Sequence, residues 1–288
     1  MIRTILVAAT GDGTDGATLA AALSIARPFG AHLDALHVRF DPVNTAVAMS
    51  SEAGSGALTV GLIDQLEQNA DRREARARES FTRFCGEAGL AVPGAPSAGE
   101  STAPSAEWHV ESGDEARWMA AYGRTADLIV ASRSTGEEAA ARSTLEAVLL
   151  EAGRPLLIPA AAAMPASIDR IAIAWKSTEQ AARAVALAMP LLVRAKEIVV
   201  VTVEETEDEH HDADRLVRNL AWHNVAAGAE RLKTSPDGAA ATLLAGIAGR
   251  ADLLVMGGYG HSRLRQWIFG GFTQHVLADA PLPVLIAH

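Results

Sequence analysis

The chain is short of most features that announce a function. A single cysteine, Cys85, stands among 288 residues. No internal disulfide can form, and the lone thiol fits a reducing compartment. An excess of positive charge is missing too: 25 Lys and Arg against 35 Asp and Glu leave a formal charge of -10. That balance speaks against general nucleic-acid or anionic-membrane binding. The apolar run at residues 5–9 is far shorter than the roughly 20 residues of a membrane span, and its flanks are wrong for a leader. It reads as a buried strand, and a cytoplasmic protein is expected. There is no P-loop ending in Lys-Ser/Thr, no nucleophile elbow and no zinc-type Cys/His spacing. His210 and His211 sit in an acidic run, but adjacent histidines diverge and rarely chelate together, so no metal is expected. His32 and His37 flank a buried strand and read as structural. His109 has no acid or nucleophile partner at a recognisable spacing.

What the chain does have is a repeat. "TADLIVASRS" returns as "RADLLVMGGY", and "AGRPLLIPA" returns as "DAPLPVLIAH". The halves are 1–160 and 165–288, joined by a small-residue linker with Pro165. In the first, strands are expected near 2–9, 31–38, 108–110, 127–131 and 156–158, with helices near 15–29, 58–87, 114–123 and 142–151. In the second, strands are expected near 170–175, 197–203, 229–232, 252–256 and 284–287, with helices near 178–192, 214–225, 238–248 and 267–278. The strands are unbroken Ile/Leu/Val runs, as in parallel sheets covered on both faces. Strand–helix alternation then demands right-handed crossovers. The segment "DPVNTAVAMSSEAGSGALTV" is rich in Ser, Ala and Gly and is read as a loop, with Asn44–Gly56 either a plain insertion or a lid.

Ligands of doubly wound sheets bind at the carboxyl ends of strands, where strand order reverses. "VMGGYGHSRLRQWIFGGFTQHVL" follows the fourth strand of the second half. Gly257, Gly258 and Gly260 can bring backbone N–H groups together. Gly270 and Gly271, at the start of a helix, free further N–H groups and a positive dipole end for an anion. Thr273 adds a hydroxyl, and His261, Arg263 and Arg265 add local positive charge. The same glycines also suit a tight turn with close helix–sheet packing. Trp175 and Trp267 flank the segment as stacking or core residues.

The tandem βα repeat, the segment "VMGGYGHSR", the G-x-x-G followed by nine residues and another glycine, and the terminal "PLPVLIAH" resemble universal stress proteins along nearly the whole chain. The resemblance implies an α/β fold of two Rossmann-like (adenine nucleotide alpha hydrolase-like) domains. Each would be a five-stranded parallel sheet of order 3-2-1-4-5 with helices on both faces. It implies an adenine nucleotide, ATP or AMP, in the C-terminal half, with Mg²⁺ only alongside the nucleotide. Carried over residue by residue, Met256, Gly257, Gly260 and Gly270 match the motif, and Thr273 matches a hydroxyl position. Gly258, His261, Lys176 and Val203 complete the candidate set. Two departures stand out. Gly271 replaces the Ser/Thr of the motif, and the aspartate at the end of strand one is Lys176 in one half and Thr10 in the other. A lysine accepts no hydrogen bond from a ribose. The first half has "SRST" where the second has "GGYG", and Glu137 and Glu138 would repel phosphate, so it reads as a structural or regulatory copy. The last strands are expected to pair the halves into an internal pseudo-dimer, with further association of two chains left open. Three readings follow: a non-enzymatic stress-response module holding ATP or AMP, an interaction protein without nucleotide, and a slow ATP hydrolase.

Overall fold

The structure is a computed structural model that describes residues 1–52, 60–93, 102–133, 139–160, 164–165, 167–204, 213–258 and 271–288. In the first half, β1 (Thr4–Ala8), α1 (Asp15–Ala26), β2 (His32–Arg39), α2 (Pro42–Glu52) and α3 (Val60–Ala88) precede β3 (Ser105–Ser112), α4 (Glu115–Gly123), β4 (Leu128–Val130), α5 (Ala139–Glu151) and β5 (Leu156–Ile158). In the second, β6 (Arg170–Ala174), α6 (Glu179–Leu192), β7 (Glu197–Glu204), α7 (Ala213–Trp222) and β8 (Gly228–Lys233) precede α8 (Ala239–Ile247), β9 (Leu253–Gly257), α9 (Gly271–Asp279) and β10 (Val284–Ala287).

The strands form one sheet of order β3-β2-β1-β4-β5-β10-β9-β6-β7-β8. Each half has the order expected from the resemblance, and the two meet where β5 pairs antiparallel with β10, Leu157 opposite Leu285. All other pairings are parallel. This leaves β3 and β8 at the edges. Alternation along each strand splits the apolar runs between two core layers. Ile5, Val7, Ile171, Ile173 and Leu285 face one side, backed by Leu19, Phe81, Leu192 and Leu220. Leu6, Ala172, Leu254 and Ile286 face the other, backed by Met119, Val148, Leu243 and Val276. Both layers run through both halves, which is why the strands read as continuous hydrophobic stretches. Cys85 is buried in the first layer.

The repeated Ala-Asp-Leu has a local cause. Asp127 Oδ2 accepts the backbone N–H groups of Arg3 (2.7 Å) and Thr4 (3.1 Å). Asp252 Oδ2 accepts those of Asp169 (3.1 Å) and Arg170 (2.8 Å). In each half the carboxylate at the amino end of the fourth strand closes the start of the first.

One expectation is corrected. The Ser/Ala/Gly-rich segment is not irregular from Asp41 onward, because α2 occupies Pro42–Glu52. Asp41 Oδ1 accepts the N–H groups of Val43 (2.9 Å) and Asn44 (3.1 Å). That cap, with proline at the first helical position, is a helix start. Residues 53–59, the rest of the loop expected there, lie outside the described residues. Among the described residues no helix is long and apolar enough to cross a membrane.

Candidate functional site

Strand order reverses between β1 and β4 and again between β6 and β9. Each reversal opens a crevice at the carboxyl ends of the strands, and the two crevices differ.

In the second half, Ala174 is paired with both Val201 and Met256. Lys176 and Val203, each two residues beyond that register, and Gly257–Gly258 therefore share one carboxyl edge. Met256 is buried, Val203 is half-buried and Lys176 is exposed. Gly257 is required by packing: a Cβ there would collide with the Ala181 backbone nitrogen and lie 2.6 Å from the Gln180 carbonyl carbon. The N-terminus of α6, capped by Thr178 Oγ1 accepting from Ala181 N–H at 3.3 Å, thus abuts the strand edge. Gly258 also sits against core: a Cβ would lie 2.7 Å from Ile286 Cδ1. Its N–H donates to the Ala287 carbonyl at 2.9 Å, so this amide belongs to the backbone bonding beside β10. Gly271 is the exposed first residue of α9, and Thr273 is buried in its first turn. Because β9 and β10 are parallel, α9 must run back along the sheet, which places its N-terminus at the same carboxyl edge. The N-termini of α6 and α9 thus both lie at this carboxyl edge, with their positive dipole ends toward the crevice. Trp175 packs on the core, and its buried indole N–H has no partner among the described residues. Gly260, His261 and Gly270, with Arg263, Arg265 and Trp267, lie outside the described residues, as do His210, His211, Glu137 and Glu138.

The first crevice is filled from within. Asp15 is buried. Its Oδ1 accepts from Thr10 N–H at 2.8 Å and Thr10 Oγ1 at 3.1 Å, and its Oδ2 accepts from Gly11 N–H at 2.9 Å. The amides at the end of β1 are thereby consumed. Gly11 has φ +74°, and a Cβ on it would run into the Arg73 carbonyl, so α3 approaches as closely as a backbone can. Arg73 Nε donates to the Thr10 carbonyl at 3.2 Å. Arg39 at the end of β2 holds α3 there through Asp71 at 2.7 Å and Glu74 at 3.8 Å. Asp12 and Glu115 both feel the charge of the Arg73 guanidinium. Burial works against ionisation of Asp12, but hydrogen bonds from Thr14 and Thr10, with the Arg73 charge, outweigh it and hold the carboxyl below its usual range. Burial pushes Glu115 up, partly offset by Arg73 and Thr144. Among the described residues, Arg73 shares this crevice with the carboxyl groups of Asp12, Asp15 and Glu115, the reverse of a phosphate cradle. Nothing in the spacing of α3 singles out Arg73, since the helix holds several arginines and only packing selects one.

His109 is corrected as well. Its acid partner comes from the neighbouring strand, Asp34 Oδ1 at 3.3 Å from Nε2. The alternation His32-x-Asp34 in β2 and Glu107-x-His109 in β3 was the available signal, because period two puts all four on one face. His37 is buried, with Nδ1 2.7 Å from the Ala9 carbonyl, in the structural place expected.

Comparison with known proteins agrees with this architecture. The model of the universal stress protein family matches residues 167–288. A universal stress protein from Archaeoglobus fulgidus DSM 4304 is 16% identical and superposes with a TM-score of 0.68, covering 99% of this chain and 95% of that one. A universal stress protein described as putative, from Pseudomonas aeruginosa UCBPP-PA14, is 16% identical with a TM-score of 0.54, covering 99% of this chain and 93% of that one. No curated protein matches the chain. At these identities the superpositions speak to fold, and over the full length they match both halves. Residues 167–288 thus match the model of the universal stress protein family, and the N-terminal half shares the fold.

Proposed function

We propose that this is a cytoplasmic, non-catalytic stress-response protein that holds one adenine nucleotide, ATP or AMP, at the carboxyl edge of β7, β6 and β9. The first domain is its structural partner. The asymmetry of the two crevices carries this reading. In the first, Arg73 and α3 fill the space and Asp12, Asp15 and Glu115 oppose phosphate. In the second, Gly257 draws the N-terminus of α6 to the strand edge and Lys176 replaces the acid. Lys176 donates to phosphate where an aspartate would have accepted from ribose. Losing that one acceptor weakens binding by about ten- to a hundredfold without abolishing it. Mg²⁺ accompanies the nucleotide and has no site of its own. The β5–β10 pairing serves as a dimer contact within one chain, so two chains that associate further would use other surfaces.

Titration of the purified chain with ATP and Mg²⁺, and separately with AMP, tests this. One site per chain at micromolar affinity, lost in Gly260→Val, is the expected result. No heat and no thermal shift at millimolar nucleotide would sink it. That outcome would favour a protein that works through its surfaces alone, a reading supported by the commitment of the Gly258 amide to Ala287.

A further inference from the structure

The position just beyond the fourth strand differs between the halves, and the difference reaches across the seam. The repeat "TADLIVASRS" and "RADLLVMGGY" sets Arg133 in the first half against Gly258 in the second. Each of these positions meets the last helix of the other half. A Cβ on Gly258 would lie 3.4 Å from Leu149 Cδ2 in α5. Arg133 meets the C-terminus of α9. Its Nη1 donates to the Ala278 carbonyl at 2.9 Å, and its Nη2 donates to the Ala280 carbonyl at 2.6 Å. Its Nε donates to the Pro159 carbonyl at 3.2 Å, just after β5. One guanidinium thus ties the end of the first half to the last helix of the second, with every nitrogen engaged.

The chemistry of this contact suits a helix end. The last carbonyls of a helix lack partners within it, and a cation there also meets the negative end of the dipole. Arg133 is half-buried. Burial pushes the guanidinium pKa down, and the Asp279 carboxylate opposes that shift. The rest of α9 is lightly anchored. Of its nine residues, Thr273 and Val276 are buried, and Leu277 is partly buried beside them. A helix with so few core contacts is easily loosened, so a charged clamp at one end fixes much of its position. Nine residues span about 13 Å. The far end of that short rod carries Gly271 and Thr273 at the carboxyl edge of the second crevice.

We propose that Arg133 is a positioning residue for the second crevice: through it the first domain holds the C-terminus of α9 and sets where Gly271 and Thr273 stand toward an anionic ligand. The ligand half of this inference rests on the nucleotide reading above, while the hold on α9 stands without it. The first domain then does more than pair its last strand. The position that is glycine in one half supplies, in the other, a side chain that completes the neighbouring site, which makes that site dependent on both domains.

The test is amide hydrogen exchange on the full-length chain, paired with titration by ATP and Mg²⁺. Arg133→Met keeps an aliphatic stem and removes the donors, and Arg133→Lys keeps the charge without the planar fork. In Arg133→Met the α9 amides should exchange about tenfold faster, with those of β5, β9 and β10 unchanged. ATP affinity should fall by about tenfold at unchanged stoichiometry. Arg133→Lys should recover part of both effects. A contact that merely braces the seam would speed exchange in β5 and β10 as much as in α9 and leave ATP affinity alone. That result overturns the proposal, as does α9 exchange equal to the parent's. A parent that binds no ATP overturns the nucleotide reading and the ligand half of this one, while α9 exchange still decides whether Arg133 holds the helix.

Discussion

Asp252 shows how one carboxylate can act far from any ligand. It lies at the amino end of β9, its side chain is 13% exposed, and Arg170 NH2 is 2.7 Å from its other oxygen. Burial opposes its charge, but the Arg170 guanidinium and the Arg170 and Asp169 backbone N–H groups outweigh burial and hold the carboxyl below the usual range. A depressed carboxyl contributes stability above its unfolded value of about 4. That contribution is lost as the pH falls through the lower folded value. Asp252→Ala should cost about 1–3 kcal/mol by stranding two strand-start donors. Urea melts should show this loss at neutral pH and a smaller difference from the parent below pH 3. Gly257→Ala makes a complementary case, since its Cβ has only backbone to meet at Gln180 and Ala181. The expected cost is about 1–3 kcal/mol of overpacking, read as a lower thermal midpoint, with nucleotide affinity reduced because the N-terminus of α6 must retreat. Both glycines of this pair were visible as candidates in the sequence. That Gly257 serves helix packing, and that Gly258 spends its amide on Ala287, depended on neighbours from distant stretches of the chain.

Among the elements, α3 decides the most and was the least legible in its role. Its existence over 58–87 follows from a long charged amphipathic run, and the structure places it at Val60–Ala88. Its course across the end of β1 follows from Arg39 gripping Asp71 and from Gly11 admitting the Arg73 backbone. Arg73→Ala should empty part of the first crevice yet leave nucleotide stoichiometry unchanged, because Asp12, Asp15 and Glu115 remain. Calorimetry that finds a second nucleotide site in this variant would show that the arginine alone had closed the first domain. The same substitution should lower thermal stability, since it uncovers Glu115, whose charge burial already disfavours. The helix α2 marks a different limit. Composition suggested a loop, while the Asp-Pro start announced a helix, and the cap won because it satisfies two N–H donors at once.

At the scale of the whole molecule, the antiparallel seam between β5 and β10 makes one ten-stranded sheet of two five-stranded ones. Residues of both halves share each core layer: Leu157 with Leu285 on one face, Ile158 with Ile286 on the other. A shared core of this kind couples the halves. Scanning calorimetry should record a single transition whose calorimetric and van't Hoff enthalpies agree. Two resolved transitions would mean that the seam is weaker than the cores it joins. Leu157→Asp at the seam should split the transition if the coupling runs through these residues.

The sequence by itself determined the repeat, the strand–helix alternation and, through the glycine motif and the terminal strand, the kind of fold each half adopts. These are local properties, set by periodicity, turn residues and capping within a few residues of one another. Tertiary structure alone decided which crevice is closed, which glycine is packed rather than free, and which histidines find carboxylates. Each of those outcomes rests on side chains or backbone brought together from distant parts of the chain: Arg73 against Gly11, Gly257 against Ala181, His109 against Asp34. Spacing along the sequence can put residues on one face, as in His32-x-Asp34 and Glu107-x-His109, but strand register and helix docking decide which of them meet.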